Sequence, residues 1–416
     1  MDNEKILKFP DDFFWGTATS AHQIEGENTN NWSEWEQSKR RIIRLEKRGD
    51  NPKDFISGKA CDSYELYETD LDLASQLNNN AYRFSIEWSR VEPLPGVFDQ
   101  SEIEHYHKVI TACRERRLEP FVTLWHWTEP DWFAARKGWL GEKCVFYFAK
   151  FVDKIAQEFA KDVNFWLTLN EPLIYSFDSY WQAKWPPQQR SLTKTWQVIK
   201  NLASAHRAAY YFIHKHNYNA QVGIVKNNQY FEPYQNKLLN RWVCKVVNWY
   251  WNDLFIKQVI KKLDFIGLNY YFHNLINFKP FDYKNLFVEL KNKNEKISDM
   301  GWEIYPAGIY HVLKNLAKLG LPIFITENGL ADETDTRRAQ FIIEHLKYIH
   351  QAIEENIDVR GYFHWSLLDN FEWSEGWWPK FGLYAVDRKT FQRSAKPSSQ
   401  VYAGICKNNS IKVNGQ

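Results

Sequence analysis

Trp166-Leu-Thr-Leu-Asn-Glu-Pro172 is an apolar run too short for a helix, closed by a proline, with an asparagine and a glutamate at its tip. Runs of four to eight such residues bounded by turn formers read as buried strands. The pattern returns in Pro322-Ile-Phe-Ile-Thr-Glu-Asn-Gly329, again with a glutamate beside an asparagine. Taking Phe165 to Leu169 and Pro322 to Thr326 as the two strand bodies, six more runs of the kind lie around them. They are Phe13-Phe-Trp-Gly16, Ala81-Tyr-Arg-Phe-Ser-Ile86, Pro120-Phe-Val-Thr-Leu-Trp125, Gln221-Val-Gly-Ile-Val225, Asp264-Phe-Ile-Gly-Leu268 and Val359-Arg-Gly-Tyr-Phe363.

Between these runs the spacing predicts helices over Leu66 to Leu77, Glu102 to Arg117, Val145 to Ala160, Leu192 to His216, Gly308 to Leu319 and Thr336 to Asn356, several with apolar residues three and four apart. Strand then helix, repeated eight times, predicts an α/β fold: a (β/α)₈ TIM barrel with its active site at the C-terminal ends of the strands. No linker or low-complexity tract interrupts the series, so residues 1–416 are expected to form one domain. The Lys-rich stretch Phe278 to Lys296 lacks periodicity and reads as a long loop walling the mouth.

Composition narrows the function. A formal net charge of +2, with both signs interspersed, offers no chain-wide field for nucleic acid or an anionic membrane, so neither is expected as a partner. A small neutral substrate fits better. Five scattered cysteines form no C-x-x-C spacing and read as reduced and buried. No H-E-x-x-H or comparable ligand set occurs, and neither a metal nor an organic cofactor is expected. Met1 to Pro10 lacks the apolar core of a secretory signal, and no apolar stretch is long enough to span a bilayer, so a cytoplasmic protein is expected. Nothing in the sequence fixes an oligomeric state.

Aromatic residues make up 17% of the chain, with 20 tryptophans, and most serve a heavy core. Tryptophans beside carboxylates and amides at strand ends suggest sugar, whose C–H faces stack on indoles while its hydroxyls need polar partners. The polar residues do cluster just past each run: Gln23 and Glu25, Arg83 within the second, His126 and Trp127, Asn170 and Glu171, Asn227, Asn269 to Tyr271, Glu327, and Trp365 to Trp373. Two glutamates at two strand tips suit cleavage of a glycosidic bond, one giving a proton to the leaving oxygen and one attacking the anomeric carbon. A neighbouring cation would keep one of the two ionised, while burial and that charge would keep the other protonated.

Seven segments together resemble glycoside hydrolase family 1, the retaining β-glucosidase and β-galactosidase family. They are Phe13-Phe-Trp-Gly-Thr-Ala-Thr-Ser-Ala-His-Gln-Ile-Glu-Gly26, Tyr82-Arg-Phe-Ser-Ile-Glu-Trp-Ser-Arg90, Trp125-His-Trp127, Thr168-Leu-Asn-Glu-Pro172, Gly267-Leu-Asn-Tyr-Tyr271, Ile325-Thr-Glu-Asn-Gly329 and Trp365-Ser-Leu-Leu-Asp-Asn-Phe-Glu-Trp373. The resemblance spans nearly the whole chain. It implies a retaining exo-β-glycosidase acting on terminal β-glucosyl, and also β-galactosyl or β-fucosyl, residues through a covalent glycosyl-enzyme. It makes Glu171 the general acid/base and Glu327 the nucleophile, with Arg83, Tyr271 and Asn269 in support and Tyr270 as a packing neighbour. Gln23, His126, Asn170, Glu372 and Trp373 would bind the sugar, with Trp365 as stacking floor and Trp127 and Phe381 completing the pocket. His126 seen alone reads equally as a core histidine. His22 and Glu25 would stand behind, and Glu87 and Asp369 would be structural. Glu375, past the eighth run, argues for unphosphorylated glycosides, since relatives that cleave 6-phosphosugars carry a phosphate clamp there.

The chain departs from the family pattern in two places, a shortened stretch between Asn228 and Asp264 and the segment Tyr180-Trp-Gln-Ala-Lys-Trp-Pro-Pro187. Both fall where a leaving-group subsite would form. Trp181 and Trp185 read either as platforms for a second sugar or as rim packing. Hydrolysis and net transglycosylation share the same intermediate and stay open. A non-catalytic carbohydrate-binding barrel is the remaining alternative.

Overall fold

The computed structural model describes residues 4–282 and 285–414. Eight strands, β1 (Phe14–Ala18), β2 (Ala81–Ser85), β3 (Glu119–Thr123), β4 (Phe165–Asn170), β5 (Gln221–Asn227), β6 (Phe265–Asn269), β7 (Ile323–Asn328) and β8 (Val359–Trp365), close into one barrel. Every neighbouring pair, including β8 with β1, is parallel. The expected barrel is present, and each expected strand falls within two residues of the observed one. Helices Ser63–Gln76, Gln100–Glu115, Cys144–Phe159, Leu192–His216, Ala307–Leu316 and Arg338–Glu354 form its outer ring.

The lower barrel is filled by phenylalanines. Phe14, Phe121, Phe165, Phe265, Phe324 and Phe363 meet inside it, Phe121 and Phe165 stacked with centroids 4.3 Å apart. Glycines on the strands make room for them. A Cβ on Gly16 would meet the Phe363 ring at 2.4 Å, and one on Gly223 the Phe265 ring at 2.7 Å. Alternating large and small interior residues is how a small barrel fills its bore. This plug leaves the C-terminal end as the open one.

Three additions lie outside the barrel. The terminal strands Glu4–Lys8 and Ser410–Asn414 pair antiparallel beneath it. Tyr384–Val386 pairs with Arg393–Ala395 after β8. The third corrects the sequence reading. The Lys-rich stretch is not simply a loop, because Val288–Leu290 pairs with His273–Phe278, which in turn pairs with Tyr230–Pro233 in a three-stranded accessory sheet. A three-residue strand such as Val288–Leu290 is too short for its alternation to register in sequence. The reading of Phe278 to Lys296 also covers residues 283 and 284, which lie outside the described residues.

Candidate active site

The two strands that carry the glutamates are both irregular at their tips. Phe324 and Glu327 are three residues apart, an odd spacing, yet both face inward; a register shift between Ile325 and Glu327 against β6 absorbs the difference. On β4 a shift between Leu167 and Asn170 does the same for Leu167 and Asn170. Bulges next to active sites re-aim side chains in this way. The chain then turns sharply, with Glu171 left-handed (φ 44°, ψ 57°) at the N-cap of the helix Pro172–Tyr180.

Glu327 is paired. The buried Arg83 guanidinium donates from Nη1 to Glu327 Oε1 at 2.6 Å, and Tyr271 Oη donates to Oε2 at 2.9 Å. Arg83 is itself fixed through Nη2 to Asn170 Oδ1 at 2.8 Å, Nε to Thr123 Oγ1 at 3.2 Å and Nη1 to the Thr326 carbonyl at 3.1 Å. A fully buried cation held on four sides cannot swing away from its carboxylate.

Glu171 has amides instead. Asn269 Nδ2 donates to its Oε1 at 2.7 Å and Asn227 Nδ2 to the same oxygen at 3.0 Å. Burial, then the charge of Glu327, push its carboxyl up to about 8. Asn269 also links the two acids, because its backbone pairs with Glu327 across β6 and β7 while its side chain grips Glu171.

The pocket wall is aromatic. His126 lies nearly parallel to Trp373 at 5.8 Å and to Trp365 at 6.2 Å. Its Nε2 meets Asn170 Nδ2 at 3.0 Å while Nδ1 is buried without a partner, and burial keeps the ring neutral. Trp127 donates from Nε1 to the Asn170 carbonyl and packs on Trp373 and Trp185. Trp365 and Phe381 belong to the inner cluster with Tyr271 and Trp302 at its edge. Gln23 Nε2 donates to the Phe371 carbonyl at 2.8 Å and approaches Glu372 Oε2 at 3.3 Å, while burial and Glu327 raise the Glu372 carboxyl to about 8. Every residue expected in the site is therefore in or against this mouth.

The residues expected behind or outside the site are placed accordingly. His22 stacks on Trp373 and bonds Glu36, Glu25 pairs with Arg90 and Tyr106, Glu87 caps the turn at Trp88–Val91, and Asp369 accepts from Lys396. Tyr270 bonds the Tyr305 carbonyl, as a packing neighbour would. Trp185 is buried against Trp127 and Trp32, with Nε1 on Ser374 Oγ, so it is part of the aromatic wall; Trp181 is half-buried. Among the described residues no group of three or more His, Cys, Asp or Glu is arranged to hold a metal.

Two residues were given no role by the sequence reading. Asn227 was visible only as a polar strand end, yet it holds Glu171. Lys226 is a lysine in an otherwise apolar run, and that was the available signal. It is buried, its Nζ donates to the Trp251 carbonyl at 2.8 Å, and burial lowers it to about 7 against the opposing pull of Glu171 and Asp253.

The family model for glycosyl hydrolase family 1 matches residues 6–261 and 252–411. The chain belongs to glycosyl hydrolase family 1. Among family 1 relatives, β-glucosidase A of Thermotoga maritima is 31% identical, the match covering 98% of this chain and 99% of that protein. A β-galactosidase of Pyrococcus woesei is 28% identical over 97% of this chain and 98% of its own. Of solved family 1 folds, the β-glycosidase from Pyrococcus horikoshii superposes with a TM-score of 0.89 at 39% identity, covering 98% of this chain and 97% of that one. A Thermotoga maritima family 1 glycoside hydrolase in complex with a cyclophellitol analogue transition state mimic gives a TM-score of 0.90 at 30% identity, covering 98% and 99%.

Proposed function

We propose that this family 1 enzyme is a retaining exo-β-glycosidase that releases terminal β-D-glucosyl residues, with Glu171 as acid/base and Glu327 as nucleophile, and that residues 1–416 work as one barrel domain. The observation that carries the reading is the inequality of the two glutamates. Glu327 is locked to a buried guanidinium and a tyrosine hydroxyl, an environment for a carboxylate; Glu171 has only two amides and a raised pKa, an environment for a carboxylic acid. In the first step Glu171 gives its proton to the leaving oxygen as Glu327 Oε2 or Oε1 bonds the anomeric carbon from the opposite face. Glu171, now a carboxylate, takes a proton from water as that water displaces Glu327. Retention needs the carboxyls about 5 to 5.5 Å apart, a geometry in which each ionisation is felt by the other.

The sugar-end groups fit a hexopyranose: Gln23 and Glu372 for outer hydroxyls, Asn170 and His126 nearer the ring, Trp365 and Trp373 for its apolar face. Glu375 lies close enough to Glu372 to oppose its ionisation, which disfavours a phosphorylated sugar. β-Glucosides come first because two relatives bear the name β-glucosidase A, and β-galactosides follow because others bear the name β-galactosidase. The Thermotoga enzyme's complexes with glucoimidazole and deoxynojirimycin support a small-molecule substrate. With both carboxylates present and supported, the non-catalytic reading is not favoured.

The test is Glu327→Gly with a nitrophenyl β-glucoside. Hydrolysis should fall by roughly 10⁴-fold or more, and azide should restore turnover as the α-glycosyl azide. Glu171→Ala with azide should instead give the β-glycosyl azide. Retained activity in Glu327→Gly, or the same anomer from both variants, would overturn the assignment.

A further inference from the structure

The helix Leu238–Asn248 lies between β5 and β6, beside the accessory sheet. Val243 and Cys244 pack on that sheet against Ile276, with Phe231, Val247 and Phe278 around them. Its other face is apolar and bare. Leu238 is 80% and Trp242 65% exposed, and Leu239, Val246 and Trp249 are exposed as well. At 3.6 residues per turn these five fall on a single arc of roughly 100°. A helix of a water-soluble surface carries polar residues on that arc. Five large apolar side chains together, two of them tryptophan, mark an interaction surface.

Charge identifies what the surface meets. Arg241 and Lys245 border one edge of the arc, Lys237 precedes the helix, and no Asp or Glu occurs between Glu232 and Asp253. The nearby Glu289 is already shared by Lys279 and Lys291. The chain-wide charge of +2 conceals this local excess. A second copy docking about a two-fold axis would lay the patch on itself and set these cations against their own images, which is repulsive. Anionic headgroups supply the opposite charge, and the boundary beneath them accepts indole and leucine.

We propose that the outer face of Leu238–Asn248, extended by Trp249, is a peripheral docking surface for anionic lipid bilayers. Association is peripheral, since no helix among the described residues is long and apolar enough to cross a membrane. The accessory sheet on which this helix packs follows shortly after the tips of β5 and β6, at Tyr230 and His273, so docking brings the mouth end of the barrel toward the lipid surface.

The test is co-sedimentation of the full chain with vesicles of phosphatidylcholine mixed with phosphatidylglycerol, and with vesicles of phosphatidylcholine alone, at low and high salt. The expected result is binding to the mixed vesicles that weakens with salt and falls by roughly tenfold or more in Trp242→Ser and in the double variant Arg241→Glu, Lys245→Glu. Hydrolysis of a soluble nitrophenyl glycoside should be unchanged in both, which establishes that they fold. No vesicle binding by the parent chain, or equal binding by the variants, overturns the proposal. So does sedimentation velocity that finds a dimer abolished by Trp242→Ser with no vesicle binding, which assigns the patch to a second copy.

Discussion

Glu171 combines three unfavourable conditions in one residue: a left-handed backbone, full burial and a like charge nearby. Trp127 (φ 75°) and Trp373 (φ 50°), both in the pocket wall, share the backbone condition. Non-glycine residues held there cost about 1 to 3 kcal/mol each and persist where the surroundings over-determine them. The electrostatic part is testable through stability. Because the folded-state pKa lies above the usual value of 4.5, stability is lost as pH rises from that value through about 8. Glu171→Gln, which mimics the protonated form, should therefore melt higher than the parent at pH 8 and alike at pH 4, by calorimetry. The amide of Asn269 favours the ionised form of Glu171, so Asn269→Ala should raise its pKa further. The alkaline limb of kcat/KM on an unactivated alkyl β-glucoside should then move to higher pH, and a limb that stays or falls would remove Asn269 from this role.

At the scale of elements, strand bodies were legible and strand tips were not. Phe165 to Leu169 and Pro322 to Thr326 announce themselves as apolar runs between turn formers, because a parallel strand is buried on both faces. The register shifts before Asn170 and Glu327 leave no such trace; they depend on how β5 and β6 sit alongside. The carboxylates could be named from sequence, but the bulges that aim them could not. Asn227 and Lys226 illustrate the same limit, since one residue faces the mouth and its neighbour the helix layer, and only the neighbours decide which matters. Lys226 anchors β5 to the π-helical turn Trp249–Asp253 through the Trp251 carbonyl. Its folded pKa is lowered from 10.5 to about 7, so the unfolded chain binds more protons between those values and stability rises with pH across them. Lys226→Met removes the burial cost and orphans one carbonyl. The melting temperature of the variant relative to the parent should be most favourable at pH 6 and decline toward pH 10. A pH-independent difference would mean that the ammonium is not the source of the cost.

Across the whole molecule, the barrel is built so that stability and chemistry occupy opposite ends. The phenylalanine plug fills the lower bore, the aromatic and carboxylate mouth lies above it, and the terminal strands clasp below. Five register pairs run from Glu4 with Asn414 to Lys8 with Ser410, and Asn409 adds bonds to the Trp15 indole and to the Phe9 and Pro10 carbonyls. Deleting residues 409–416 removes the whole ladder and the Asn409 bonds, and should cost several kcal/mol at about 1 kcal/mol per net hydrogen bond. The melting temperature should drop while kcat below the transition is unchanged. A loss of kcat at low temperature would mean that the clasp reaches the mouth after all. No sequence signal pointed to the clasp, because two five-residue strands at the chain ends pair only with each other.

The clasp also sets Glu4 beside Asn414, at the pole opposite the entrance. A short peptide bridge from beyond Asn414 to before Glu4 could weld the backbone into a ring without disturbing any strand of the barrel. Fixing either strand of the clasp to a resin would likewise leave the entrance open to the bulk liquid.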